Sequence, residues 1–324
     1  MHLINVVTTF KTEDECLDHL VKMRWPSGVC CIKCGGMDVH EMRIAASQRK
    51  NGKFIPPRRL YRCQNEGASC FNYQFTPKTG TIFDKSHLPL TKWFMAIGLI
   101  TAAKKGMSAK QVARHLDMEG SYKTVWYLCH RIREAMQEVG LLTGIVEVDE
   151  AFLSPRKPRK GTPKVKNPNR MAVLGMIERG GKLKLIPVAD DKMKSVEPHM
   201  LEHIGPEALL QTDSSFTHGW IGRYHFVDRH RMINHIVSYA EGENHTQGVE
   251  NAFSLLKRGL YGTFHQVSAK HLGRYCNEFS FRFNRRHSQK EMFDATVKEL
   301  AHGKALRFKT LIASGEENPS GVSR

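Results

Sequence analysis

Three carboxylates and four thiols carry the chemistry that this sequence could do. In "GIVEVDEAFL", Val146 and Val148 alternate with Glu147 and Asp149, the pattern of a strand with one apolar and one acidic face. Like charges on one side of a strand repel unless a cation or hydrogen-bond donors lie between them, so the stretch asks for a metal. A second acid, Asp213, ends the short apolar run in "ALLQTDSS". A third, Glu250, lies near the start of the helical "HTQGVENAFSLLKRG". The steps between them are 64 and 37 residues. In a mixed α/β sheet ligand sites gather at strand ends, so strands that neighbour in space would bring Asp149 and Asp213 together. Three converging carboxylates suit hard divalent ions such as Mg2+ or Mn2+. Two such ions ~3.5–4 Å apart stabilise the attacking and leaving oxygens of an in-line phosphoryl displacement.

Taken singly, each acid has a plainer reading: a strand end for Asp149, a loop cap for Asp213, a helix-dipole complement for Glu250. Asp190, Asp191, Asp228 and Glu150 are rival acids, and Glu150 points to the other face if the strand continues. Along the third segment, Val249, Phe253, Leu256 and Leu260 form an apolar stripe with Ala252 beside it. Seven residues at ~100° each bring Lys257 back within roughly 20° of Glu250, but ~10 Å along the axis, too far for a snug ion pair. Acid for metal and lysine for DNA phosphate is the better reading, with Arg258 next to it on the chain.

Five of the eight cysteines lie between Cys30 and Cys70. Cys31 and Cys34 form a C-x2-C knuckle followed by Gly35 and Gly36, which lets two thiolates face one tetrahedral ion across a tight turn. With Cys63 and the more widely spaced Cys70 they read as a four-cysteine zinc ribbon around a hairpin, Cys30 being the spare. In so small a unit bound Zn2+ would supply most of the stability.

The elements that must position these groups follow from charge and periodicity. The chain of 324 residues carries a net charge of +17, a surplus that points to a polyanion, nucleic acid before a membrane surface. The opening "MHLINVVTTFKTEDEC" has no secretory pattern, and "WFMAIGLITAA" is too short to span a bilayer. A cytoplasmic, nucleoid-associated protein with reduced cysteines is expected. Residues 88–139 read as helices, with Thr91 and Ser108 as N-caps and Gly106 as a stop. A short helix, a turn and a longer basic helix outline a helix-turn-helix, with Lys123, His130, Arg131 and Arg133 as candidates to meet DNA. A plain helical connector fits the same pattern. Residues 156–170 hold seven Lys/Arg and no acid, among them Arg156, Lys157, Arg159 and Lys160, a phosphate-gripping loop. A β-hairpin around Gly180-Gly181, a helix over "SVEPHMLEHI" and the strand ending at Asp213 complete the order.

"VEVDE", "LLQTDSS" and "NHTQGVENAFSLLKRGLYGTFHQVSAKHL" resemble the bacterial insertion-sequence transposases that join a zinc ribbon to a DDE catalytic domain. "YRC…C…FTPKTGTIFDKSHLPLTKWF" is similar to the same family's ribbon and following helix. The resemblance spans about residues 15–290. Gln247 and Phe253 stand where the family often has asparagine and tryptophan. With a zinc ribbon (1–86), a helix-turn-helix-like DNA-binding region (87–140) and a C-terminal helix and flexible tail (291–324) expected around it, the resemblance implies an RNase H-like α/β catalytic domain over 141–290. It further implies a divalent-metal triad of Asp149, Asp213 and Glu250 followed by the basic Lys257. The activity would be cleavage at an element's terminal inverted repeats and strand transfer into target DNA. Because two ends must be held together, at least a homodimer on double-stranded DNA is expected. A zinc-containing DNA-binding regulator derived from an inactive transposase, and a structure-selective nuclease of the same fold, remain the alternatives.

Overall fold

The computed structural model describes residues 2–45, 47–48, 52, 54–55, 58–153, 171–233, 245–304 and 306–313. Two short helices, α1 (Leu3–Thr9) and α2 (Glu13–Arg24), open the chain. A capping box starts α2: Thr12 Oγ1 accepts from the Glu15 amide and the Glu15 carboxylate accepts from the Thr12 amide at 2.7 Å. The ribbon follows, with strands β1 (Val39–Ile44), β2 (Ser47–Gln48), β3 (Phe54–Ile55), β4 (Arg58–Cys63) and β5 (Gln74–Phe75). β1, β4 and β5 form an antiparallel sheet in that order, so the expected hairpin between the cysteine pairs is present. Its core is small: Tyr61 and Phe75 with Trp25 and Val21 packed against them.

Next come α3 (Leu90–Ala102), α4 (Ala109–His115) and α5 (Tyr122–Ala135). α3 is apolar nearly all round because it is the centre of a helical core. Among the described residues no helix is long and apolar enough to cross a membrane. Thr91 is not its cap. The helix begins at Leu90, whose amide donates to the Glu13 carboxylate of α2 at 2.6 Å, a cap supplied from 77 residues away. Ser108 does cap α4, in a capping box with Gln111. The face expected of α5, Val125, Leu128, Ile132 and Met136, is buried. α10 (Gln289–His302) returns to this core through Met292, Phe293, Val297 and Leu300, and a short α11 (Phe308–Ile312) follows. Residues 314–324 lie outside the described residues.

Between α5 and α10 lies a mixed sheet of β6 (Ile145–Leu153), β7 (Met171–Glu178), β8 (Leu183–Val188), β9 (Leu209–Asp213) and β10 (His230–Ile233), interleaved with α6 (Met193–His203), α7 (Phe216–His225), α8 (Gln247–Gly259) and α9 (Ala269–Asn284). The strand order is β10-β9-β6-β7-β8: β6, β7 and β8 form an antiparallel meander, and β9 and β10 run parallel to β6. The period of two sorts β6 cleanly. Val146 and Val148 face α6 and α7, while Ala151 and Leu153 face α8 and α9. α9 also covers the edge strand β8, where Ser280 Oγ and Asn284 Oδ1 accept the amides of Leu185 and Leu183 at 3.0 and 2.6 Å.

A buried ion cluster joins α9 to the helical core. Arg133 Nε lies 2.6 Å from Glu278, whose other oxygen meets Arg282 at 3.3 Å. Arg133 also lies over the Tyr275 ring.

Candidate active site

β6 and β9 pair in parallel with Val146 opposite Leu210 and Val148 opposite Thr212. The same offset carried one residue further sets Asp149 beside Asp213, the last residue of β9. The 64-residue gap is thus a register. Burial, together with the charges of Asp213 and Glu150, pushes the Asp149 carboxyl up to about 6, against the lowering effect of the Glu150 amide and of His218. The Glu150 amide donates to Asp149 Oδ1 at 2.7 Å.

α8 packs on the sheet face of Ala151 and Leu153 through Val249, Ala252, Phe253 and Leu256, and Glu250, near its start, is exposed, its carboxylate accepting from Thr246 Oγ1 at 3.2 Å. Three features hold α8 there. Glu147, buried in the sheet, accepts the amides of Gly248 and Val249 at 2.7 and 3.2 Å, so a carboxylate closes the helix N-terminus. Its other oxygen pairs with Arg179 at 3.1 Å, and Arg179 also donates to Gln211 at 2.7 Å. Gly248 has no side chain to strike Glu147: a Cβ there would lie 2.7 Å from its Oε2. Gly175, the partner of Asp149 on β7, makes room for Val249 and Phe253 in the same way. Glu147 therefore has donors of its own and does not call for a metal, which corrects the expectation drawn from the alternation of Glu147 and Asp149.

α7 and β10 are not among the elements expected from the sequence, and neither is what α7 brings. His218, on α7, is completely buried between two acids: Nδ1 lies 2.7 Å from Asp213 Oδ1 and Nε2 lies 2.9 Å from Glu150 Oε1. An imidazole that meets an ionised carboxylate at each nitrogen donates to both, an arrangement that favours the imidazolium form of His218. Burial lowers its pKa, but the hydrogen bonds and charges of the two acids outweigh that and push it up to about 9. Burial would likewise raise Asp213, yet His218 and the Ser215 amide hold it below the ordinary range. Glu150 does point to the opposite face from Asp149, as alternation requires. Of the remaining rivals, Asp190 accepts from Ser195 Oγ at 2.6 Å, Asp191 is exposed, and Asp228 is exposed in a turn at φ +62°.

The carboxylates of Asp149, Asp213 and Glu250 do not gather within 4.8 Å of one another, as the four ribbon thiols do. Those are Cys31, Cys34, Cys63 and Cys70, with Sγ–Sγ separations of 3.7 Å for Cys31–Cys70 and 3.8 Å for Cys34–Cys63. Cys70 completes the set and Cys30 stays outside it. The turn is made by the Gly35 amide donating to the Cys31 carbonyl, with Gly35 at φ +72°. The Gly36 amide and then the Cys70 thiol bring the Cys34 thiol down to about 7, toward the thiolate that binds zinc. A second group, His199, Glu202 and His203, lies on α6, but Lys184 Nζ sits 3.2 Å from His203 Nδ1, where its charge opposes a cation.

The basic candidates divide. Lys123 and Arg258 are exposed and Lys257 is half-buried on α8, beyond Glu250. Arg131 is buried, donating to the Asp84 carbonyl at 3.1 Å beside the Trp93 ring, and His130 and Arg133 are buried too. These three belong to the helical core and do not face DNA, because α5 turns its C-terminal half inward. Arg156, Lys157, Arg159 and Lys160 lie outside the described residues.

Comparison with known proteins agrees with this architecture. The profile of the ISXO2-like transposase domain matches residues 141–284, and that of the transposase zinc-ribbon domain matches residues 11–70. The chain is 24% identical over 291 residues to an uncharacterized protein in transposable element ISH50 of Halobacterium salinarum, covering 85% of this chain and 92% of that one. It is 25% identical over 122 residues to an uncharacterized transposase-like protein of Haemophilus influenzae, covering 38% of this chain and 95% of that one. With a four-thiol ribbon ahead of the acid-bearing sheet, this chain carries the two domains of the insertion-sequence transposases, a transposase zinc ribbon and an ISXO2-like transposase domain.

Proposed function

We propose that the chain binds the terminal inverted repeats of its insertion sequence and catalyses metal-dependent strand cleavage and strand transfer, with Asp149, Asp213 and Glu250 as the catalytic acids. The observation that carries this reading is the register that sets Asp149 beside Asp213 on parallel strands, under a helix whose start is tied to the same sheet face. The meander followed by two parallel strands supports an RNase H-like fold for this unit.

The donor set fits Mg2+ or Mn2+: all three groups are carboxylates, and burial and Asp213 already oppose ionisation of Asp149, a repulsion that a cation relieves. Bound there, the metal supplies a lowered pKa for the attacking water or 3′-hydroxyl and stabilises charge on the phosphate oxygens. Asp149 and Asp213 fix one side of the site from the sheet, and Glu250 fixes the other from α8. Lys257 and Arg258, further along α8, hold DNA phosphates. The four ribbon cysteines hold Zn2+ and give the ribbon its stability. In the helical region, the exposed start of α5, with Tyr122, Lys123 and Thr124, meets the element end in a helix-turn-helix-like manner. Pairing of two ends calls for a homodimer or larger assembly on double-stranded DNA. A nucleoid location follows from that partner.

The test is cleavage and joining of a duplex carrying the element's end, with Mg2+. Asp149→Ala abolishes cleavage and leaves binding intact; retained cleavage defeats the assignment. Binding without metal-dependent nicking by the wild type identifies a regulator, and nicking without joining identifies a nuclease.

A further inference from the structure

We propose that His218 is the positioning residue for Asp213 and that Glu150 holds His218, so that a relay crossing the strand ends fixes which Asp213 oxygen faces the metal. The proposal rests on the catalytic assignment above and deepens it.

Asp213 ends its strand, so one side of it lacks the packing that immobilises a residue within a sheet. Its orientation comes from hydrogen bonds to one oxygen: Oδ1 takes His218 Nδ1 at 2.7 Å and the Ser215 amide at 3.1 Å. With Oδ1 so engaged, Oδ2 is the oxygen that would face a cation. His218 is rigid in turn. Its ring is 0% exposed, and its far nitrogen meets Glu150 Oε1 at 2.9 Å, on a side chain only 8% exposed. The helix that bears it is anchored at several points. Ser215 Oγ caps its start by accepting the His218 amide at 3.3 Å, and Ile221 and Phe226 are buried in the core under the sheet. Gly222 lies so close to β10 that a Cβ would fall 1.9 Å from His230 Nδ1. A carboxylate held through one oxygen by a buried, doubly bonded imidazole is the arrangement that aligns a metal ligand from behind. Glu150 bonds to Asp213 only through His218, because alternation along β6 turns its side chain to the face opposite Asp149.

Mn2+ binding to the zinc-loaded full-length protein, followed by the electron paramagnetic resonance of free Mn2+, reads this without any DNA or turnover. His218→Ala should weaken Mn2+ affinity about 10–100-fold. His218→Gln, whose amide can still donate to Asp213, should recover part of that loss. Glu150→Ala should weaken binding less than His218→Ala and add nothing in the His218→Ala background, as expected for two residues acting in series. Wild-type affinity in His218→Ala, or additive losses from His218 and Glu150, overturns the relay. If His218→Ala does not fold, the paired change His218→Leu with Glu150→Gln refills the volume without leaving a buried charge. Its affinity decides in the same way. Asp149→Ala and Asp213→Ala separate the two levels. If they lose Mn2+ while the His218 variants keep it, the relay alone fails; if they keep it too, the catalytic assignment fails.

Discussion

At Gly175 the sheet and α8 approach each other closely, and an alanine there tests whether that approach sets the proposed site. Gly175 pairs with Asp149, and a Cβ added to it would lie 2.6 Å from Phe253 Cζ and 2.7 Å from Val249 Cγ2. Comfortable carbon contacts lie at about 3.5–4 Å, so α8 or the Phe253 ring must give way by roughly 1 Å. The ring is 4% exposed and has no free space to enter. Overpacking of this kind costs about 1–3 kcal/mol. The lower chain entropy of alanine offsets roughly 0.5–1 kcal/mol of that. Gly175→Ala should therefore lower the urea-unfolding free energy by ~1–2 kcal/mol. The functional effect should be larger. Glu147 pins the start of the helix, so the strain falls on the turn that carries Val249 and Glu250. A displacement of about 1 Å at a reacting group costs on the order of 100-fold in rate. Nicking of an end-bearing duplex measures that loss. Phe253→Leu removes the two ring atoms that clash and should restore both readouts in part when added to Gly175→Ala. Unchanged stability and nicking in Gly175→Ala, or no coupling between the two substitutions, would refute the reasoning.

His130 is buried with both ring nitrogens unpartnered, and burial, followed by the charges of Arg133, His271 and Arg274, pushes its pKa from 6.5 down to about 2. A histidine depressed in the folded state stabilises fully above its unfolded pKa. That stability is lost as pH falls below 6.5, by up to ~1.4 kcal/mol per pH unit, so His130→Leu should show a shallower decline in unfolding free energy between pH 6.5 and 4.5; equal slopes refute this. Glu147→Ala leaves two helix amides without their acceptor and removes the Glu147–Arg179 ion pair, and should cost about 3 kcal/mol in urea unfolding, whereas Glu147→Gln keeps an acceptor and should cost less. Arg133→Met leaves Glu278 buried with only Arg282 and should cost ~3–5 kcal/mol, most of it recovered by adding Glu278→Met; a pair as unstable as the single variant speaks against this. Cys34→Ser should lower the zinc content per chain, and a wild type without zinc would sink the ribbon assignment.

Much of the architecture was legible because periodicity reports local geometry. The period of two in β6, the stripe on α8 and the face of α5 all followed from the alternation of apolar and polar residues, since each element buries one side. The pairing of Asp149 with Asp213 could be anticipated only as a neighbourhood, because the register depends on strands far apart in sequence. What stayed hidden was set by tertiary partners. Leu90 begins α3 because Glu13 of a distant helix accepts its amide, a cap that no local motif announces. Arg131 and Arg133 read as a basic DNA-facing surface, yet an aromatic ring and a buried glutamate draw them inward. His218 follows Asp213 by five residues in "TDSSFTHGW", and nothing in that spacing distinguishes it from a surface histidine. The C-terminal helix was expected, but its return to the core built around α3 was not.

Glu147 and Asp149 show how one sheet face assigns different work to like residues. They stand two positions apart on β6 and share an orientation. Glu147 lies below the strand end, where Arg179, the first amides of α8 and a close-approaching Gly248 surround it. Its charge is answered by protein donors, which makes it a support for the helix. Asp149 lies one step nearer the end, where the register sets another acid beside it and the amide of Glu150 donates to it. Its charge is opposed by its surroundings, and the carboxyl rises to about 6. An acid already supplied with donors gains little from a cation. One crowded by burial and a like charge gains most, because the metal removes the repulsion and the desolvation penalty together. The sheet face is therefore asymmetric by construction: the inner acid sets where α8 sits, and the outer acid is left for the metal chemistry proposed for it.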